Sequence, residues 1–164
     1  MDEPERILFS CDPGKATGTA LWDITGINGG EDANLLWTKQ VGEGPEFFAF
    51  LDELFDQYAH NEKYQFEVVC ENFIITTQTA KLGAGPWSLK YIGVLEYLCW
   101  KFGVMYTLQQ PMQKDFAPDE RLKALGLNPT DGVQGGHTRD AIRHGVIYLV
   151  LKHKWRPEGL LDVD

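Results

Sequence analysis

The alternation of apolar and polar positions divides the chain into strands and helices with different periods. Residues 6–11 (RILFSC) form a short apolar run that stops at Asp12-Pro13-Gly14, where a proline cannot continue a central strand, so the first strand is predicted to end at Asp12. Residues 17–24 (TGTALWDI) and 34–41 (NLLWTKQV) alternate small, apolar and polar side chains across a glycine-rich connection. With the first run they predict an antiparallel three-strand meander. Residues 65–70 (QFEVVC) read as a compact β-branched strand ending at Glu71, and residues 104–109 (VMYTLQ) as a fifth strand closed by Pro111.

A helical period governs the rest. Residues 45–58 open with a proline suited to a first helical turn and set Phe47, Phe50, Leu51, Leu54 and Tyr58 on one face, with Phe47, Phe50 and Phe55 read as core. Residues 87–102 (WSLKYIGVLEYLCWKF) are apolar on more than one side, which predicts burial by the sheet and by a partner subunit, hence a homodimer through this helix. The stretch 112–136 is polar and broken by Pro and Gly, with one short helix at 120–125, and a long helix over 137–153 starts after Gly135-Gly136. An acidic tail, expected to be loosely held, follows from Trp155. This order calls for an α/β fold: a five-stranded mixed sheet, three antiparallel strands then two parallel, flanked by helices.

Composition bounds the picture. With 164 residues, 43% of them hydrophobic, the chain can bury one substantial core, so a single domain over 1–164 is expected, with its core over about 6–153. Residues 1–6 are a charged lead-in rather than a signal peptide, and no segment approaches about 18 consecutive apolar residues, so no membrane is expected. Cys11, Cys70 and Cys99 have no disulfide-framework or metal-ligand spacing, which fits a reducing compartment and predicts a cytoplasmic protein, or one of the host cytoplasm if the chain is viral. The net charge of −9 argues against a grip on nucleic acid by bulk charge, so any basic surface must be local.

The candidate chemistry lies in four residues. Asp12 and Glu71 close two strands whose ends a mixed sheet can bring together, while His137 and Asp140, three apart, share one face of the last helix. Taken singly, each has an ordinary role as turn former, strand-end acid, helix cap or solvated first-turn acid. Together, three carboxylates would repel one another unless cations intervened, and Mg²⁺ or Mn²⁺ prefers such oxygen ligands. Two ions ~3.5–4 Å apart would serve phosphodiester hydrolysis, with Asp12 bridging them, Glu71 and Asp140 each holding one, and His137 ligating an ion or positioning the water.

These residues lie in motifs that resemble a known family. CDPGKATGTALWD is similar to the opening strand–turn–strand of RuvC-type Holliday-junction resolvases, VVCENF to their fourth-strand acid motif, and GGHTRDAIRHGV to their final H-x-x-D-A helix. The resemblance spans roughly residues 6–153 and has the look of a bacteriophage-like, divergent member. It implies an RNase H-like fold, a homodimer and paired nicks in a four-way DNA junction with Mg²⁺ or Mn²⁺, with Asp12, Glu71, His137 and Asp140 on the active-site positions. It also places Lys114, in QQPMQKD, where the family carries a functional lysine. The following FAPDERLKALGLNPTDGVQGG departs from the Gly-rich, basic stretch usual there.

Further candidates are DNA contacts. Lys15 lies in the turn beside Asp12, Lys81 in the TTQTAKLG stretch, and Arg139 and Arg143 flank Asp140, where they could approach phosphate or neutralise the acids. Phe73, Ile74 and Trp87 are candidate wedges against unpaired bases, or else core and interface residues. His144, one turn beyond Asp140, is a candidate support for the metal ligands. Cys11 and Cys70 should turn to the sheet face opposite the acids and stay buried. The competing functions are a nuclease of this fold acting on other branched DNA or on RNA–DNA hybrids, and a catalytically silent module that binds DNA structures. An actin-like nucleotide-binding protein would need a second subdomain that this length does not hold.

Overall fold

The computed structural model describes residues 3–77, 86–127 and 136–158. Five strands, β1 (Glu5–Asp12), β2 (Thr17–Asp23), β3 (Asn34–Val41), β4 (Tyr64–Glu71) and β5 (Met105–Gln109), form one sheet in the order β3-β2-β1-β4-β5. β1 pairs antiparallel with β2, β2 antiparallel with β3, and β1-β4-β5 are parallel. The alternation in the sequence thus marks the strands within a residue or two of their ends.

The strand period of two sends successive side chains to opposite faces. Ile7, Phe9 and Cys11 of β1 pack beneath α1 (Pro45–Tyr58) and α2 (Pro86–Phe102), in a core that includes Phe47, Leu51, Tyr91 and Leu95. On the other face, Leu8 of β1, Ala20 and Trp22 of β2 and Val69 of β4 pack against Ile142, Val146 and Leu149 of the last helix. Two pieces lie between. A 3₁₀ turn at Pro111–Phe116 is closed by reciprocal bonds between Gln110 and Gln113, and it leads to the short α3 (Asp119–Ala124). Neither that turn nor a second one at Ile27–Gly29 is visible in the hydrophobic pattern, because such short turns rest on local hydrogen bonds rather than a buried stripe.

The last helix, α4 (Gly136–His153), is buried nearly all round from His144 to Leu149, because the sheet covers one side and the 111–127 segment another. Two glycines let it approach β2 closely. A methyl group at Gly18 would lie 1.9 Å from the His137 carbonyl oxygen, and one at Gly145 would lie 2.6 Å from the Trp22 ring nitrogen. At its far end, Tyr148 and His153 meet the buried Glu67 at 2.8 and 2.9 Å, and Arg6 joins the same carboxylate at 2.8 Å. Burial raises the Glu67 carboxyl, but hydrogen bonds from His153, Tyr148 and Arg6 overcome that and hold it at about 2.

The chain stays docked beyond α4. Trp155 is buried and its ring nitrogen donates to Asp32 at 3.3 Å, which corrects the expectation of a tail loose from Trp155 onward; residues 159–164 lie outside the described residues. A side chain as large as Trp155 gains more by covering the end of the core than it loses in freedom. No helix among the described residues is long and apolar enough to cross a membrane.

Because Glu67 is held below its ordinary 4.5, its contribution is present above that pH and is lost as pH falls toward 2. Glu67→Gln is expected to lose roughly 3–5 kcal/mol at neutral pH by leaving Arg6 unpaired, with the gap to wild type in urea unfolding closing over that acid range. Gly18→Ala must push the start of α4 off the sheet, since the obstacle is backbone. Amide hydrogen exchange should rise in the first turns of α4 and stay low in β4.

Candidate metal centre

Asp12 is the last residue of β1 and Glu71 the last of β4. Cys11 pairs with Cys70 across these parallel neighbours, so the two acids leave the sheet side by side. Strand alternation turns both thiols into the α1–α2 core and both carboxylates toward α4, as expected from the sequence. Burial, and then the neighbouring Cys70, push the Cys11 thiol up, which suits an inert packing role. The turn after Asp12 is held by Thr17, whose hydroxyl donates to the Gly14 carbonyl at 3.1 Å, and by Ser88 at the start of α2, which donates to the Pro13 carbonyl at 2.7 Å.

The first turns of α4 bring Asp140 to the same place. One oxygen from each of Asp12, Glu71 and Asp140 lies within 4.8 Å of the others, and among the described residues this is the one group of three or more acidic, histidine or cysteine side chains so placed. His137 is not within that group. Its Nδ1 lies 2.9 Å from Asp12 Oδ2, and its ring is half exposed at the rim.

Each carboxylate has its own counter-group. Lys114 Nζ lies 2.9 Å from Asp140 Oδ2 and 3.2 Å from Glu71 Oε2, so the lysine marked by its position after β5 sits among the acids. Burial opposes its charge, but Asp140 and Glu71 raise its affinity for the proton. His144, fully buried, places Nε2 2.9 Å from Glu71 Oε2. Burial raises the Glu71 carboxyl, but its interactions with His144 and then with Lys114 outweigh that and hold it below the usual carboxylate range. Asp12 is raised by burial and by the charge of Glu71, against the lowering effect of His137. The hydrogen bond to Asp12 in turn raises His137.

Arg143 uses its whole guanidinium here. Nε donates to the Ala117 carbonyl at 3.1 Å, and its two terminal nitrogens reach Asp140 and Asp119. Arg139 also pairs with Asp119, at 3.1 Å. The two arginines flanking Asp140 therefore dock the 111–124 segment, which carries Lys114, onto α4. Asp119 and Gln109 were not singled out by the sequence: one is a first-turn acid of a six-residue helix and the other the last residue of a strand, and neither position signals a partner.

The three acids open into a cleft of about 770 Å³ whose walls include Lys15, Phe73 and Trp87. Phe73 and Trp87 are half-buried and also pack on the α1–α2 core, while Ile74 is 47% exposed and outside the cleft lining. Lys81 lies outside the described residues.

No protein-family model and no curated protein matches the chain. Solved structures do. Thermus thermophilus RuvC, "T. thermophilus RuvC in complex with Holliday junction substrate", superposes with a TM-score of 0.63 at 18% identity, over 90% of this chain and 95% of that one. The fowlpox virus Holliday junction resolvase superposes with a TM-score of 0.51 at 14% identity over 87% of this chain and 96% of its own, and the same resolvase with junction DNA with 0.55 at 11% over 86% and 97%. At these identities the likeness is one of fold, and the five-stranded mixed sheet with its flanking helices is the RNase H-like fold.

Proposed function

We propose that this chain is a divalent-metal-dependent endodeoxyribonuclease that resolves four-way DNA junctions by paired nicks, acting as a single RNase H-like domain. The observation that carries the proposal is the convergence of Asp12, Glu71 and Asp140 at the floor of a cleft. The donor set is made of carboxylate oxygens alone, which suits Mg²⁺ or Mn²⁺ and not a soft metal. Asp12 would be shared by two ions, with Glu71 and Asp140 each holding one. Such ions supply Lewis-acid stabilisation at phosphate oxygens and lower the pKa of water.

The remaining steps belong to the chain itself. His137, tied to Asp12 through Nδ1, leaves Nε2 to hold or take a proton from water at the rim of the cleft. Lys114 Nζ, at the edge of the same floor, is placed to meet a phosphate oxygen once it leaves the acids. Lys15, on the cleft wall, and Lys81 would hold neighbouring phosphates. Arg139 and Arg143 act first through Asp119 and would reach DNA only from that position. Phe73 and Trp87, on the cleft wall, would stack on bases opened at a junction, and Ile74, exposed but outside the cleft lining, would act only as a wedge beyond it.

Support for the substrate comes from the structural neighbours, which are Holliday junction resolvases, two of them seen with junction DNA. Paired nicks need two sites, and α2 offers a surface for a second copy. Trp100 is 78% exposed, Tyr97 56% and Leu89 42%, and the first two rings are in contact. A homodimer through this helix would set two clefts on one junction.

Wild-type protein is expected to cut a synthetic four-way junction in Mg²⁺ or Mn²⁺ with symmetric paired nicks, and to cut three-way, flap and RNA–DNA hybrid substrates less well. Asp12→Asn should lower cleavage by a factor of 10³ or so while leaving most junction binding, consistent with the scale of transition-state charge stabilisation. Undiminished cleavage by Asp12→Asn would refute the chemistry, and a preference for hybrid or flap would refute the substrate. In sedimentation at micromolar concentration the wild type should be a dimer and Trp100→Glu a monomer.

A further inference from the structure

Glu71 is supported by a line of hydrogen bonds whose direction is set by the helix backbone. Gln109, at the end of β5, is 4% exposed and faces His144, which is fully buried. The amide orientation that satisfies its neighbours has Nε2 donating to the His144 carbonyl at 3.3 Å and to the His144 ring Nδ1 at 2.7 Å, with Oε1 accepting from the Tyr148 N–H at 3.2 Å. Main-chain groups cannot exchange donor for acceptor. The carbonyl of one α4 residue and the N–H of another therefore hold the Gln109 amide in one orientation. That leaves Nδ1 of His144 as an acceptor, and the ring carries its proton on Nε2, 2.9 Å from Glu71 Oε2.

Building on the metal centre proposed above, we propose that His144, oriented by Gln109, is the positioning residue that holds Glu71 as a metal ligand. Lys114 also reaches Glu71 Oε2, at 3.2 Å, but as a cation that a divalent ion would repel. His144 in this tautomer donates without adding charge, so its bond persists in either state. It engages one oxygen of the carboxylate, Oε2. Hydrogen-bonded supports of this kind are worth ~10–100-fold in metal affinity. His144 and Gln109 touch neither substrate nor metal, so their effect must pass through Glu71.

The test is calorimetric titration with Mn²⁺, with circular dichroism as the control for folding. His144→Leu should weaken Mn²⁺ binding ~10–100-fold, and His144→Gln, which keeps an N–H where Nε2 lies, should recover most of the loss. Gln109→Leu should weaken binding less, and the double variant His144→Leu/Gln109→Leu no more than His144→Leu alone, because Gln109 acts through His144. Wild-type affinity in folded His144→Leu, or additive losses in the double variant, would overturn the proposal. Should His144→Leu fail to fold, Gln109→Leu and the imidazole ¹⁵N spectrum of the wild type decide. The spectrum is expected to show a protonated Nε2 and a bare Nδ1, and the opposite tautomer refutes the relay. Wild-type protein that binds no Mn²⁺ would overturn the metal centre itself, whereas wild-type binding unaffected by these variants would overturn the relay alone.

Discussion

Three carboxylates brought within 4.8 Å of one another repel, and the structure around them is organised to withstand that repulsion. Lys114 comes from the turn after β5, His137 and Arg143 from α4, and His144 from one helical turn beyond Asp140. No single element could supply this set. Arg143 then ties the turn and α3 to α4 through Ala117 and Asp119, so the segment that carries the compensating lysine is held by the helix that carries an acid. Charge balance and chain docking are one network.

The network works only if α4 keeps its position on the sheet. The missing side chains at Gly18 and Gly145 let the helix lie close to β2, and the buried Glu67 cluster fastens its other end. A site on the ends of two paired strands and the first turns of a packed helix has little freedom to drift, and ligand sets need placement to within a fraction of an ångström. The same helix contributes Asp140 and, in the proposed relay, the support for Glu71.

The acidic balance of the chain takes on a different meaning in this light. Part of the basic complement is spent internally: Lys114 on Glu71 and Asp140, Arg139 and Arg143 on Asp119, Arg6 on Glu67. Lys15 remains on the cleft wall. A nuclease built this way would rely on a few local phosphate contacts and on the shape of its substrate rather than on a broad positive field, and its binding would show a shallow salt dependence.

Much of this was legible in the sequence. The periods of two and 3.6 defined the strands and main helices because they report which side of an element is buried. The punctuation at Asp12-Pro13-Gly14 and the end of the β-branched run at Glu71 put both acids at strand ends, and the spacing of His137 and Asp140 put both on one helical face. Partners were another matter. A period identifies a buried face without saying what lies against it, so Lys114, Arg143 and His144 stood out as candidates without their partners, and the engagement of Arg143 with Asp119 and of His144 with Gln109 had no signature. His144 and Glu71 are 73 residues apart in the chain, and only the parallel register of β1 with β4 and the seating of α4 over them bring the two together.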